Sequence, residues 1–215
     1  MLDDLKKEVL RIACQAEEYG LCHHGGGNFS MMDRNENLIA ITPHAECRFD
    51  LSYEDILLID PDGNIVENIG GLHPSSETIV HTSVLKARPD INAVCHTHAK
   101  NAATFAVLNR EIKPVLLEAL FYGGVCRVAP FQLPGTPELA KSVVDGLAGT
   151  HAVILQKHGL LTVGKSIYDA YLKSIYVEEV GEINLKIANI VGYENIDQIP
   201  YDQVDYLLKN MGMRA

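Results

Sequence analysis

The chain has 215 residues, of which 47% are hydrophobic, so it is long enough to bury a substantial core within one domain. It carries 28 acidic against 18 basic side chains, and the formal charge of −10 disfavours nucleic acid or an anionic membrane as a partner. No apolar run approaches the roughly 20 residues that cross a bilayer, and the start MLDDLKKEVL has no signal-peptide or transit-peptide pattern. We therefore expect a single cytoplasmic domain over residues 1–215.

The first part of the chain is predicted to form one helix followed by two hairpins. Apolar residues recur with a helical period from Leu2 to Tyr19, and Gly20 ends this pattern. Turn signals then separate pairs of short apolar segments, as in β-hairpins. The four strands predicted in this way cover residues 29–32, 38–41, 56–59 and 64–66.

In the remainder, predicted helices alternate with short strands. The helices cover residues 76–86, 99–108, 137–147 and 166–190, and the strands lie near Ala93, Arg127, Val153 and Leu161. Ser75 or Ser76 is expected to cap the first of these helices. Hairpins favour antiparallel pairing and interleaved helices cover a sheet, so we predict an α/β fold: a three-layer helix-sheet-helix sandwich with a mainly antiparallel central sheet.

Two histidines, His96 and His98, follow the apolar segment 91–95, which is predicted to be a strand. Alternate residues of a strand point to the same face, so the two imidazoles should leave the strand side by side, with Thr97 turned away. Such a pair can bind one metal ion. On this spacing alone, however, surface or core histidines are the commoner outcome.

Two more residues favour a metal site. Glu77 lies at the start of a predicted helix, where a glutamate also suits the helix dipole, and His158 lies at a turn between two apolar strands. The alternative is a purely structural role: Glu77 as a first-turn glutamate of the helix, and His158 as a turn residue. Together with His96 and His98 they provide three imidazoles and one carboxylate, which suit Zn²⁺ or another borderline divalent metal with an exchangeable position, as in catalytic sites.

A run of glycines, Gly25-Gly26-Gly27, precedes Asn28. Consecutive glycines adopt positive φ easily, so the backbone N–H groups of such a loop can surround an anion. A flexible turn between a helix and a strand is the alternative, and composition allows it equally well.

These motifs, taken in order, resemble the class II aldolase/adducin family over about residues 5–189. The matching segments are Gly27-Asn28-Phe29-Ser30, Ile41-Thr42-Pro43, Pro74-Ser75-Ser76-Glu77, His96-Thr97-His98, Ala129-Pro130, Pro134-Gly135-Thr136 and His158-Gly159. The family includes L-fuculose-1-phosphate and L-rhamnulose-1-phosphate aldolases, L-ribulose-5-phosphate 4-epimerase, methylthioribulose-1-phosphate dehydratase and the noncatalytic adducin head domain. The resemblance implies the same sandwich fold.

The resemblance also implies roles for these residues. A catalytic Zn²⁺ would be bound by His96, His98, His158 and Glu77, and the substrate phosphate by Gly27, Asn28, Ser75 and Ser76. Glu77 would also be the general base, exchanging a proton at the carbon beside the carbonyl while the metal stabilises an enediolate. The family further implies a homotetramer with its sites near subunit boundaries.

The chain departs from the family pattern in two places. His44 and Ala45 occupy positions where relatives commonly have a small hydroxyl residue and a glycine; His44 either adds a cationic donor to the phosphate pocket or is a plain loop residue. In the related aldolases a tyrosine contributed by a neighbouring subunit acts as the acid toward the aldehyde oxygen, and this tyrosine aligns with Leu117. Candidates to replace that acid are Glu118, Tyr122, Tyr201 and Tyr206. We expect the subunit interface to involve residues 117–124 and the segment from residue 201.

The predicted activity is that of a zinc-dependent class II aldolase. It would cleave a phosphorylated ketose resembling fuculose 1-phosphate into dihydroxyacetone phosphate and an aldehyde. A sugar-phosphate 4-epimerase is the nearest alternative, and a dehydratase or decarboxylase with the same metal site also fits. A noncatalytic adducin-like module is least favoured, because a scaffold has no use for three imidazoles and a carboxylate.

Overall fold

A computed structural model describes residues 2–212 and contains one eight-stranded sheet. Its strands are β1 (Asn28–Asp33), β2 (Leu38–Ile41), β3 (Leu57–Ile59), β4 (Ile65–Glu67), β5 (Ala93–Thr97), β6 (Arg127–Ala129), β7 (Ala152–Leu155) and β8 (Gly159–Gly164). They lie in the order β4-β3-β2-β1-β5-β8-β7-β6. Within these residues every neighbouring pair is antiparallel except β6 with β7, which confirms the mainly antiparallel prediction.

Six α-helices accompany the sheet in the described residues. They are α1 (Leu2–Glu18), α2 (Thr78–Ala87), α3 (Lys100–Leu108), α4 (Pro137–Gly146), α5 (Ile167–Val191) and α6 (Tyr201–Asn210). Short 3₁₀ turns occur at Arg48–Asp50, Tyr53–Asp55, Leu117–Tyr122 and Tyr193–Asn195. The first five α-helices confirm the predicted elements to within about two residues at each end, the usual uncertainty of helix boundaries. Helix α6 was not predicted as an element.

Two separate hydrophobic cores lie on opposite faces of the sheet. On one face the sheet packs against α1, α3 and α5, and on the other it packs against α2 and α4. Strand residues alternate between the two cores: in β5, Ala93 and Cys95 belong to the first core and Val94 belongs to the second. This arrangement confirms the three-layer sandwich, and it places His96 on the same face as Val94, toward α2.

The start of α2 differs from the prediction. The helix begins at Thr78 with Glu77 in the N-cap position, and no side chain makes a capping hydrogen bond there. Instead the Ser75 hydroxyl accepts the Glu77 N–H (3.3 Å), and the Ser75 carbonyl accepts the Thr78 N–H (3.1 Å). An isolated β-bridge between Pro43 and Pro74 keeps the chain extended up to this point, so the helix starts later than the serines suggest.

The two segments expected at a subunit interface contact each other within the chain. Leu120, from the 3₁₀ turn at residues 117–122, packs against Val204 and Leu208 of α6 in a small third cluster. Leu117 and Phe121 remain exposed on the same turn. The interface itself therefore stays a prediction. In residues 2–212, no helix combines the length and the apolar character that crossing a bilayer requires.

The first core generates a stability prediction. Phe105 of α3 is fully buried in it, so Phe105→Ala should lower the free energy of unfolding by about 3–5 kcal/mol through lost burial and a residual cavity. Val107 on the same helix is 69% exposed, so Val107→Ala should change the free energy of unfolding by less than about 0.5 kcal/mol. Urea denaturation of both variants measures these values, and equal losses would contradict the assigned packing.

Candidate metal centre

His96 and His98 meet at the end of β5. This strand lies at the centre of the sheet between β1 and β8, so its last residues are surrounded by other strands and their loops. His96 is buried, His98 is partly exposed, and their Nε2 atoms lie 3.1 Å apart. The predicted side-by-side arrangement of the two imidazoles is therefore confirmed.

His158 reaches the same place from the turn between β7 and β8. Because β8 pairs with β5 in the order Thr97 with Leu160 and His96 with Leu161, this turn lies beside the end of β5. Gly159 makes the approach possible, since a Cβ there would lie 2.4 Å from the Thr97 carbonyl oxygen and 3.0 Å from the His98 ring. One nitrogen from each of the three histidines lies within 4.8 Å of the others.

Glu77 completes the cluster from the start of α2. Its Oε2 lies 3.2 Å from Nε2 of His96, and its Oε1 lies 3.7 Å from Nδ1 of His158. In residues 2–212, neither Glu77 Oε1 nor His158 Nδ1 has a hydrogen-bond partner, although both atoms are buried. Buried polar atoms without a partner are costly unless something else satisfies them, and a divalent cation fits this set of nitrogen and oxygen atoms.

The protonation of the histidines suits metal binding. His96 Nδ1 lies 2.9 Å from the Leu160 carbonyl oxygen, which can only accept a hydrogen bond, so the proton is on Nδ1 and the Nε2 lone pair faces the cluster. Burial lowers the pKa of His96 well below its usual value, and the neighbouring His158 and His98 lower it further. Burial is also the main cause that lowers the pKa of His98. A lowered pKa favours the neutral ring, which is the form that binds a metal.

A cavity of about 220 Å³ opens beside this cluster. All the residues predicted for the phosphate pocket contribute to its lining, namely Gly27, Asn28, His44, Ser75 and Ser76. His24, Gly25, Gly26 and Pro134 line it as well. Gly27 has φ +73°, and a Cβ there would lie 2.5 Å from the His96 carbonyl oxygen, so this position requires glycine. The glycine segment therefore packs directly against the end of β5.

The side chain of Asn28 is engaged within the protein. Its amide nitrogen donates to Glu77 Oε2 at 3.2 Å, and its amide oxygen lies 2.5 Å from Nε2 of His81. His81 is fully buried on α2, and desolvation lowers its pKa to about 3. Asn28 thus contacts Glu77 directly, and its role toward phosphate stays a prediction.

Arg48 also lies beside the site and, like His81, was not indicated by the sequence analysis. Its guanidinium is buried, donates to the carbonyl oxygens of Gly26 (2.5 Å) and Gly27 (2.9 Å), and forms an ion pair with Glu17 at 2.7 Å. Because both carbonyl oxygens accept hydrogen bonds from Arg48, the guanidinium restrains the conformation of the glycine segment. Its partners lie far away in sequence and are mostly backbone atoms, so no motif could reveal this role.

None of the candidates for the missing acid lines the cavity next to the histidines. Among the described residues, its lining lacks Glu118, Tyr122, Tyr201 and Tyr206. Tyr122 is buried in the first core, where desolvation raises its pKa well above the usual value, and the Tyr201 hydroxyl donates to Glu111 Oε1 at 2.9 Å. Neither hydroxyl is available to a substrate in the site of its own chain.

The family model described as the class II aldolase and adducin N-terminal domain matches residues 7–185. The chain therefore belongs to the class II aldolase and adducin family, whose aldolases use a divalent metal.

Individual relatives agree with this assignment. The chain is 31% identical over 209 residues to a 5-deoxy-D-ribulose 1-phosphate aldolase from Bacillus thuringiensis serovar kurstaki, covering 97% of this chain and 96% of the relative. It is 29% identical to an L-ribulose-5-phosphate 4-epimerase from Salmonella paratyphi C, covering 99% and 95%. A solved structure of an L-fuculose 1-phosphate aldolase superposes with a TM-score of 0.91 at 29% identity, covering 97% and 96%.

The buried Arg48–Glu17 pair generates a second prediction. Arg48→Met leaves the Glu17 carboxylate without its partner and frees two loop carbonyls, so the free energy of unfolding should fall by about 3 kcal/mol. Arg110 pairs with Glu194 at the exposed surface, and Arg110→Met should cost less than about 1 kcal/mol.

Chemical denaturation of both variants tests this difference. Adding Glu17→Met to Arg48→Met should recover part of the loss, because it removes the unpaired carboxylate. No recovery in the double variant would show that the ion pair is not the source of the loss.

Proposed function

We propose that this protein is a divalent-metal-dependent aldolase that cleaves a ketose 1-phosphate into dihydroxyacetone phosphate and an aldehyde. The observation that carries the proposal is the cluster of His96, His98, His158 and Glu77 at the edge of a cavity lined by the glycine segment and two serines. Zn²⁺ is the first candidate for the metal, because it suits imidazole and carboxylate ligands with one exchangeable position.

The metal and the glutamate have separate tasks in this reaction. A bound divalent cation supplies a Lewis acid for the ketone oxygen of the substrate, on which negative charge develops as the carbon–carbon bond breaks. Cleavage leaves the bonding electron pair on the carbon next to the carbonyl. A base must take the proton of the hydroxyl that becomes the aldehyde oxygen, and Glu77 in its protonated form gives a proton to the carbon that keeps the electron pair. In the reverse direction the Glu77 carboxylate removes a proton from that carbon. A partly dry carboxylate beside the reacting carbon is suited to this exchange.

The phosphate of the substrate is proposed to bind at the glycine segment. Ser75, Ser76 and His44 line the same cavity, and Ser76 and His44 are exposed to it. These groups provide mostly neutral donors in a protein whose net charge is −10, so the phosphate must be attracted by local hydrogen bonds rather than by the overall field. A sugar phosphate is thus the proposed ligand.

The proposal includes a homotetramer in which a neighbouring subunit completes each site. One group must take the hydroxyl proton in cleavage and return it to the aldehyde oxygen in the reverse direction. None of the candidates for this group lies in the cavity lining of the described residues. Leu117, at the family tyrosine position, is 62% exposed on the 3₁₀ turn that also carries Glu118. We propose that this turn faces the site of a neighbouring subunit and that Glu118 replaces the tyrosine.

A sugar-phosphate 4-epimerase is the second candidate, and the likeness to the Salmonella epimerase favours it. An epimerase would use the same cleavage step, then turn the aldehyde and rejoin it before release. A dehydratase or decarboxylase would also use the same metal and base. The reaction products distinguish these activities, because only the aldolase releases dihydroxyacetone phosphate and an aldehyde.

The activity test combines metal analysis with a screen of sugar phosphates. Purified protein is assayed with 5-deoxyribulose 1-phosphate, fuculose 1-phosphate and ribulose 5-phosphate, and products are identified by NMR. We expect about one divalent metal ion per chain and release of dihydroxyacetone phosphate from a 1-phosphate. Epimerised pentose phosphate without fragments would support the second candidate, and a metal-free, inactive protein would contradict both.

The metal assignment generates a third prediction. His158→Ala removes one of only three imidazoles, so metal content after dialysis should fall to a small fraction of the wild-type value. His151→Ala is the control, because His151 lies outside the cluster and lines a different cavity. Metal is measured by mass spectrometry, and full occupancy in His158→Ala would refute the ligand set.

The base assignment generates a fourth prediction. Glu77→Gln keeps the shape and an oxygen ligand but loses the basic group, so most of the metal should remain while turnover falls ~10²-fold or more. Glu182→Gln, a change in an exposed ion pair on α5, should leave turnover unchanged. Steady-state kinetics with metal analysis of the same samples provides the measurement, and wild-type turnover in Glu77→Gln would exclude Glu77 as the base.

A further inference from the structure

A continuous row of buried hydrogen bonds leads from the interior to Glu77. The Ser30 hydroxyl lies 2.6 Å from Nδ1 of His81, Nε2 of His81 lies 2.5 Å from the amide oxygen of Asn28, and the amide nitrogen of Asn28 lies 3.2 Å from Glu77 Oε2. Each of these residues is buried. The row therefore links a carboxylate at the cavity to a hydroxyl inside the sheet layer.

Only one arrangement of hydrogens satisfies the whole row when Glu77 is ionised and His81 is neutral, the form that its lowered pKa favours. The carboxylate can only accept, so Asn28 must present its NH₂ group to Glu77 and its oxygen to His81. That oxygen also only accepts, so His81 must carry its proton on Nε2. Its Nδ1 is then an acceptor, and the Ser30 hydroxyl must donate to it. The orientation of Asn28 thus depends on the tautomer of His81.

The backbone holds the four residues in register. Glu77 and His81 are one helical turn apart at the start of α2, and Asn28 and Ser30 are alternate residues of β1 on the same face of the sheet. Val80 and Val84 of α2 and Val94 of β5 form the apolar layer around the row. Burying a polar group in such a layer costs free energy unless its hydrogen bonds are satisfied. Packing alone therefore gives no reason for a histidine at this position.

We propose that His81 is a positioning residue for Glu77, acting through Asn28. Its Nε2 proton keeps the Asn28 amide turned with NH₂ toward Glu77 Oε2, which fixes the rotation of the carboxylate. Oε1, which has no hydrogen-bond partner in residues 2–212, is then the oxygen left for proton exchange with the substrate carbon. This inference rests on the proposed function, in which Glu77 is the base.

The test compares two variants that each preserve one nitrogen of the ring. The side-chain amide of His81→Gln can replace the Nε2 donor, whereas that of His81→Asn is shorter and replaces only the Nδ1 position. We measure kcat, KM, metal content and the rate at which the enzyme introduces deuterium into dihydroxyacetone phosphate. We expect His81→Asn to lose 10- to 100-fold in kcat and deuterium exchange, with KM and metal content within threefold of wild type. His81→Gln should stay within about fivefold of wild type.

Ser30→Ala provides a second route if His81→Asn does not fold. It removes the donor to Nδ1 while keeping His81, and we expect a smaller, three- to tenfold loss in kcat and exchange with unchanged KM. Equal activity of His81→Asn and His81→Gln, or a parallel loss of metal and activity in all three variants, would overturn the positioning role.

A readout without turnover separates this inference from the proposed function. Neutron diffraction of the metal-loaded wild-type protein should locate the hydrogen of His81 on Nε2, and the crystal structure of His81→Asn should show a rotated Asn28 amide or Glu77 carboxylate. A proton on Nδ1 alone, or unmoved Asn28 and Glu77 side chains, would reject the inference. Inactivity toward every ketose phosphate would count against the proposed function only.

Discussion

The central constraint in this structure is the convergence of His96, His98, His158 and Glu77 on one small volume, where Glu77 Oε1 and His158 Nδ1 are buried without a hydrogen-bond partner in residues 2–212. Such a set of nitrogen and oxygen atoms is unfavourable in a protein interior unless a cation occupies it. The fold makes this convergence possible because β5 ends in the middle of the sheet, flanked by the β7–β8 turn and covered by the first turn of α2. Gly159 has no side chain, and this lets the β7–β8 turn approach the end of β5.

Around this centre, the surrounding residues determine how each ligand and loop is oriented. The Leu160 carbonyl sets the tautomer of His96, and the row through Asn28 reaches Glu77. Arg48 holds the glycine segment through its carbonyls, so the opposite edge of that segment is free to line the cavity. In the proposed function, the metal, base and phosphate positions would thus each be supported from the side away from the substrate, which is how a preorganised site avoids rearrangement during the reaction.

Much of this could be predicted from the sequence, and the failures have physical causes. The alternation in β5, the paired histidines and the serine-glutamate segment are local patterns, so the sandwich fold and the four-residue cluster were accessible. His81 reads as an ordinary position on the inner face of α2, and its partners come from a strand about fifty residues earlier. Arg48 acts on backbone carbonyls, which leave no trace in a sequence. Helix α6 buries only Val204 and Leu208, too short an apolar stripe to stand out.

Glu77 and the three histidines also come from three stretches of chain that are distant in sequence: the start of α2, the end of β5 and the β7–β8 turn. An ion bound by all three would act as a cross-link between a helix of one outer layer and the middle of the sheet. Such an ion binds the folded chain far better than the unfolded one, so each increase in its free concentration above the dissociation constant would raise the melting temperature. The supply of the metal and the thermal stability of the fold would then be thermodynamically linked in this protein.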